Sequence, residues 1–323
     1  MGSRVRNIII PIACLLSLAA FGQGTEKVTN ALKAVSEGLV GYIGVAAQDL
    51  NTGKQVFLNG DDSFPMASTY KIAIAVTLLD KVESGELDLT DMIEVQDDEW
   101  VLSDIIASNF IHQGVSLSLA NILEVMITHS DNTATNVALR LAGGPAAVNE
   151  HMERKGIEGM HIDRTTSDYS RDFYGQEPGR ENMAEAIKNL SANPGLSNDP
   201  QPEFEADAKD KSTPRAMLNL LSLIYKGEAM NDENTAFLLG IMSRTVTGAK
   251  RLRGLLPAHT PVAHKTGTLG GISNDVGFIT LPEGHSFAIV VFTRGSDTPL
   301  ADRDRAIAEV SRTLYDYFLL MPE

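Results

Sequence analysis

The chain has 323 residues, 43% hydrophobic and 21% charged, which is ordinary globular composition with ample material for one large domain or two modest ones. A formal net charge of −15, with no Lys/Arg-rich run set against it, excludes nucleic acid and anionic membrane surfaces as partners. The lone cysteine, Cys14, rules out a disulfide framework.

The first two dozen residues are a different material. Arg4 and Arg6 precede an apolar run from Ile8 to Phe21, with small residues at Ser17, Ala19, Ala20 and Gly22. This is the layout of a secretory signal peptide spanning residues 1–24, too short for a comfortable membrane span. Cleavage near residues 19–24 removes Cys14 and leaves a periplasmic or secreted protein without thiol chemistry or membrane attachment. A lipid anchor on Cys14 is a weaker alternative, because Pro11-Ile12-Ala13 is a poor lead-in.

Val28, Leu32 and Val35 recur at helical spacing up to a stop at Gly38. Val40 to Leu50, the turn Asn51-Thr52-Gly53 and Lys54 to Leu58 read as a β-hairpin. A helix follows Ser68 and ends near Gly85, and Leu87 to Asp98 reads as extended and loop-like. Helical patterns then cover Leu119–Thr128, Thr133–Leu141 closed by Gly143-Gly144, and a segment opened by Pro145 that runs to about Lys155. Residues 161–211 are rich in Asp, Ser, Gly, Pro and Asn, and only Met183 to Leu190 looks helical there. Helices at 214–225 and 232–243 precede strands at 262–265, 275–281 and 286–293, and a last helix covers 301–318. Strands at both ends flank a helical middle. The pattern predicts a discontinuous α/β lobe (25–64 and 244–323), an antiparallel sheet flanked by helices, with an all-helical lobe at 65–243 inserted and the active site between the two.

Chemistry is densest at Phe64-Pro-Met-Ala-Ser-Thr-Tyr-Lys71. Ser68 sits at a helix N-terminus and Lys71 lies one turn on, on the same face. A serine hydroxyl becomes a nucleophile when a base takes its proton, and a lysine kept partly neutral by desolvation is such a base. The alternative is a serine cap beside a solvated lysine. Ser130-Asp131-Asn132 sits between two helices, and Lys265-Thr266-Gly267 ends a predicted strand where glycine permits close approach of a substrate backbone. Each tripeptide is weak evidence alone. In this order, behind the only S-x-x-K, they are specific.

With these motifs the chain resembles a class A β-lactamase of the serine penicillin-recognising superfamily. The likeness covers most of residues 25–323, including SDNTATNVALRLAGG (130–144), KSTPRAM (211–217) and HKTGTLGGISNDVGF (264–278). The resemblance implies that Ser68 attacks a lactam carbonyl and that Lys71 accepts its proton. It implies that Ser130, biased by Lys265, relays a proton to the leaving nitrogen, and that Asn132 binds the substrate's side-chain amide. Lys265 and Thr266 would hold the substrate carboxylate, and the N–H groups of Ser68 and Thr268 an oxyanion. Arg251 either adds a second positive charge at the carboxylate site or is a surface arginine. No cofactor is implied, the substrate is a small β-lactam, and a monomer is the default.

The chain departs from that family in the segment after the helical lobe. Thr166 stands where the family's water-activating glutamate belongs and Ser170 where its asparagine belongs, and the loop is longer. Arg164 and Asp210 stand where the family's loop-closing ion pair would be. Three explanations are open. A carboxylate of the insert serves as base, with Glu177 first choice and Glu181 or Asp168 behind it; Lys71 or Ser130 serves; or deacylation is slow. A β-lactamase is the leading reading. A D-alanyl-D-alanine peptidase or esterase on the same fold, and a slowly deacylating penicillin-binding sensor, are the alternatives. The histidines offer no metal pattern, His129 and His264 read as structural, and Trp100 reads as packing. Ile105 to Phe110 is placed to wall the cleft opposite Lys265.

Overall fold

The structure is a computed structural model. It describes residues 12–321 except 111, 194, 196 and 197, with side chains from residue 24 onward. The basic start of the proposed signal peptide and the Cys14 side chain lie outside the described residues.

Five strands form one antiparallel sheet, in the spatial order Gln55–Leu58, Tyr42–Asp49, Ser286–Arg294, Ile272–Thr280, Val262–Leu269. The first two are joined by the expected tight turn. Asp49 Oδ1 accepts from the Asn51 and Thr52 N–H groups, and Gly53 takes φ +75°, where a Cβ is strained.

Both faces of this sheet are covered, and period-2 alternation sorts the side chains between them. Val45, Ala47, Ile289 and Val291 pack with Val28, Leu32, Leu314 and Phe318 of the helices Ile12–Glu37 and Leu300–Leu319. Ala46, Ala288, Val290 and Phe292 face the other way and join the core of the helical lobe. Burial on both sides is why Phe287 to Phe292 reads as an unbroken apolar run.

The helical lobe is built round Lys71–Glu83, whose residues Ile72 to Leu79 are all buried. A helix apolar on every side has to lie in a core, and Leu119–Thr128, Asn132–Ala142 and Gly144–Arg154 pack against it. Their ends are set by local chemistry: Ser118 and Asp131 cap by accepting from the Asn121 and Ala134 N–H groups, and Gly143 closes a helix at φ +100°.

Residues 161–211 hold more helix than expected. Besides Met183–Ala192 there are helices at Thr166–Tyr174 and Pro202–Ala206. The first opens with a reciprocal cap between Thr165 and Asp168 and buries Thr166, Tyr169 and Phe173. The segment's ends are pinned together: the His161 N–H donates to Lys211 O at 2.8 Å, and Lys211–Ser212 pairs with Phe64–Pro65. Among the described residues no helix is long and apolar enough to cross a membrane.

Candidate active site

Two placements bring the motifs together. The strand Val262–Leu269 lies at the edge of the sheet and packs against the short 3-10 turn Ala67–Tyr70 that carries Ser68. The connection Ser130–Asp131 joins two helices that pack on the Lys71 helix.

The Ser68 turn is held under strain. Ala67 adopts φ +43°, an uncommon conformation for a residue with a Cβ. Buried Asn274 clamps it by donating to Pro65 O (2.8 Å) and Met66 O (3.0 Å), while its Oδ1 accepts from the Thr293 N–H (2.9 Å). Gly267 also has a steric role within the chain itself. A Cβ there would lie 2.7 Å from Met66 O and 3.1 Å from Ser68 N, so the glycine makes room for the turn that carries Ser68.

Lys71 is fully buried and its ammonium donates to Ser130 O (2.7 Å), Ser130 Oγ (3.2 Å) and Asn132 Oδ1 (2.9 Å). Ser130 reaches this position with φ +59°. Burial pushes the Lys71 amine down to about 7, against the opposing pull of the Asp131 and Asp104 carboxylates. Lys265, also fully buried, donates to the same Ser130 Oγ at 2.9 Å and to Thr266 O at 2.7 Å. Burial, then the positive charge of Lys71, holds its amine well below the ordinary lysine range. A hydroxyl that accepts from two lysines is well placed to pass a proton.

Arg251 is a buried arginine. Its guanidinium donates to Gly267 O (3.1 Å), Asn274 O (2.9 Å) and Thr268 Oγ1 (2.7 Å), and pairs with Asp304 at 2.7 Å. Together with Ser68, Ser130, Asn132, Thr266 and Thr268 it lines a cavity of about 390 Å³. The far wall is Leu102, Ser103, Asp104 and Ser108, a displacement toward the chain start from the expected 105–110 wall. It is fixed by Asp131, whose Oδ2 accepts from the Ile105 and Ile106 N–H groups at 2.9 and 2.8 Å. His129 also lines the cavity, its Nδ1 on Thr128 Oγ1, whereas His264 is buried against Asp275 at 2.8 Å. Trp100 is fully buried in the core.

A second, smaller space opens on Ser68 from the side of the 161–211 segment. It is lined by Tyr70, Asn132, Thr166, Tyr169 and Ser170 among others, and by no carboxylate. Buried Thr166 Oγ1 lies 3.2 Å from the Tyr70 hydroxyl, and its N–H donates to Asn136 Oδ1 at 2.8 Å. Glu177 is elsewhere: its exposed carboxylate takes Arg171 Nε at 3.1 Å and lines neither space beside Ser68. Glu181 lines neither space, and Asp168 is committed to the Thr165 cap and to Arg171. All three carboxylates lie in the segment the sequence pointed to, but Asp168 on the helix Thr166–Tyr174 and Glu177 beyond it are both turned to Arg171. Arg164 is buried among Asp172, Asp207 and Asp210, with Asp210 at 3.0 Å.

Tyr70 and Asn274 are the positions that motif reading missed. Both stand inside stretches singled out above, and the signal available was a polar group in a stretch otherwise bound for the core.

A family model described as "Beta-lactamase enzyme family" matches residues 27–318. The chain is 30% identical to β-lactamase VEB-1 of Pseudomonas aeruginosa over 305 residues, 91% of this chain and 90% of that protein. It is 26% identical to a β-lactamase of Bacteroides uniformis, over 95% of this chain and 97% of that one. Among solved structures, a β-lactamase from Chitinophaga pinensis superposes with a TM-score of 0.75 at 30% identity, covering 90% of this chain and 98% of that one. TLA-1 extended-spectrum β-lactamase gives 0.78 at 26% identity, covering 92% and 99%.

Proposed function

Since the chain belongs to the β-lactamase enzyme family and has the class A fold, we propose that it hydrolyses β-lactams through an acyl-enzyme on Ser68. The observation that carries this is the shared Ser130 hydroxyl, with Lys71 on one side, Lys265 on the other and Ser68 lining the same cavity. Neutral Lys71 takes the Ser68 proton as Oγ bonds to the lactam carbonyl carbon. The carbonyl oxygen becomes an oxyanion held by the Ser68 and Thr268 N–H groups, for which one lost donor typically costs about 2.7–4 kcal/mol of barrier. The C–N bond then breaks and Ser130 protonates the nitrogen, drawing on its lysine neighbours. Arg251 and Thr266 line the end of the cavity that suits the substrate carboxylate, with the Lys265 amine buried behind it on Ser130 Oγ and Thr266 O, and Asn132 faces the substrate's side-chain amide. Arg164 and Asp210 close the base of the 161–211 segment.

The basic, then apolar, then small-residue order of residues 1–24 supports export to the periplasm or medium. Intact-mass measurement after mixing with a penicillin tests the reading. A transient adduct of the drug's mass on the unmodified chain, absent from Ser68→Ala, is the expected result; an adduct on Ser68→Ala would sink the assignment.

A further inference from the structure

Hydrolysis of a Ser68 ester needs a water beside the acyl carbon and a group that takes its proton. Of the spaces described on Ser68, the larger one holds the substrate on the reading above. The smaller one, about 70 Å³, is of a size to receive the water. Its polar wall is made of hydroxyls and an amide: Tyr70, Thr166 and Ser170 with Asn132. Tyr70 Oη and Thr166 Oγ1 are paired at 3.2 Å, which leaves each with a further donor or acceptor to offer. A water needs two to four such partners. Carboxylates are missing from this wall, because Asp168 and Glu177 are turned to Arg171. The tyrosines do not replace them as bases, since burial raises the hydroxyls of both Tyr70 and Tyr169. The nearest group able to take a proton is Lys71, which sits behind this wall with its amine on Asn132 Oδ1 at 2.9 Å, and Asn132 itself lines the space.

Resting on the Ser68 acyl-enzyme reading, we propose that the Tyr70 and Thr166 hydroxyls hold the hydrolytic water and that Lys71 receives its proton. The water oxygen bonds to the ester carbonyl carbon as one O–H proton passes to the neutral Lys71 amine. The bond from that carbon to Ser68 Oγ then breaks, and Lys71 returns the proton to Oγ, freeing the ring-opened acid. One lysine thus serves both halves of the cycle, and Tyr70 and Thr166 are positioning residues. The charged groups that face Lys71 are Asp131, Asp104 and Lys265. The first two favour its ammonium, while the third and burial oppose it.

The test isolates hydrolysis from acylation. The chain is loaded with a slowly released cephalosporin and jumped to buffers between about pH 4 and 9, and adduct loss is followed by quenched intact-mass measurement. Loss is expected to rise about tenfold per pH unit and to level off above about pH 7, as Lys71 becomes neutral. An inflection in the carboxylate range, or a flat profile, overturns the role of Lys71. Tyr70→Phe and Thr166→Val are each expected to slow loss about tenfold relative to adduct formation. An unchanged ratio in both overturns the water site. If the unmodified chain forms no adduct at all, the Ser68 reading fails first, and this inference with it. Glu177→Gln serves as the control and is expected to match the unmodified chain.

Discussion

Gly267 shows how little room a single residue has in this site. The edge strand comes so close to the Ser68 turn that one added methyl meets backbone at 2.7 Å, and backbone cannot swing aside as a long side chain can. Gly267→Ala is expected to lower the acylation rate of Ser68 by about tenfold to a hundredfold, the usual consequence of displacing a reacting group by a fraction of an ångström to an ångström. Its stability cost is about 1–3 kcal/mol. Stopped-flow turnover of a chromogenic cephalosporin beside a thermal melt separates the two effects, and full activity would mean the turn does not need this approach. The Lys-Thr-Gly motif was legible in the sequence. That its glycine lies against the Ser68 turn was not, because the two strands of chain are some two hundred positions apart.

Among the elements, the segment 161–211 depends most on one side chain. Arg164 pairs with three aspartates and lies over the Phe204 ring at 4.7 Å, while Asp210 accepts from the Asp163 and Arg164 N–H groups. Asp210 is 1% exposed and sits at φ +56°, and burial raises its carboxyl above the usual range. Removing the guanidinium leaves that carboxylate without its counter-charge, at a cost of about 3–5 kcal/mol. Arg164→Ala is therefore expected to lower the melting temperature and to open 161–211 to limited proteolysis. Unchanged cleavage would show the helices inside the segment to be self-supporting. Those helices were only partly legible. Thr166–Tyr174 carries few apolar residues, yet Tyr169 and Phe173 lie one turn apart behind a Thr-x-x-Asp cap, and the cap was the readable sign.

For the molecule as a whole, stability comes from packing. One core runs from the inner face of the sheet through the helical lobe, and a second joins the outer face to the first and last helices. Cys14 is the only cysteine, so no disulfide contributes within one chain. Thermal unfolding of the secreted protein is expected to be the same with and without a thiol reductant; a shift on reduction would mean that Cys14 is retained and links two chains. Two depressed lysines at the junction of the lobes add a pH term. Burial lowers both amines, so at Lys71 the unfolded chain binds more protons than the folded one between about pH 7 and the ordinary lysine range, and Lys265 acts in the same direction. Their contribution to stability accordingly rises with pH across that window, opposite in sign to a lysine that gains a carboxylate partner.

Outside 161–211, the order of the main strands and helices, the two-lobed antiparallel-sheet class and the three motifs follow from the sequence alone, because hydrophobic period and turn chemistry act over a few residues at a time. The placement of loop charges does not. Which way Asp168 and the Arg171 partner of Glu177 face depends on how the nine-residue helix Thr166–Tyr174 is rolled against Tyr70 and Phe204, and burial of Tyr169 and Phe173 decides that. In the same way the tertiary structure alone turned Arg251 inward, where Asp304 and the carbonyls of Gly267 and Asn274 compensate its charge. A buried ion has to find its partners in space, and their distance along the chain carries no record of the meeting.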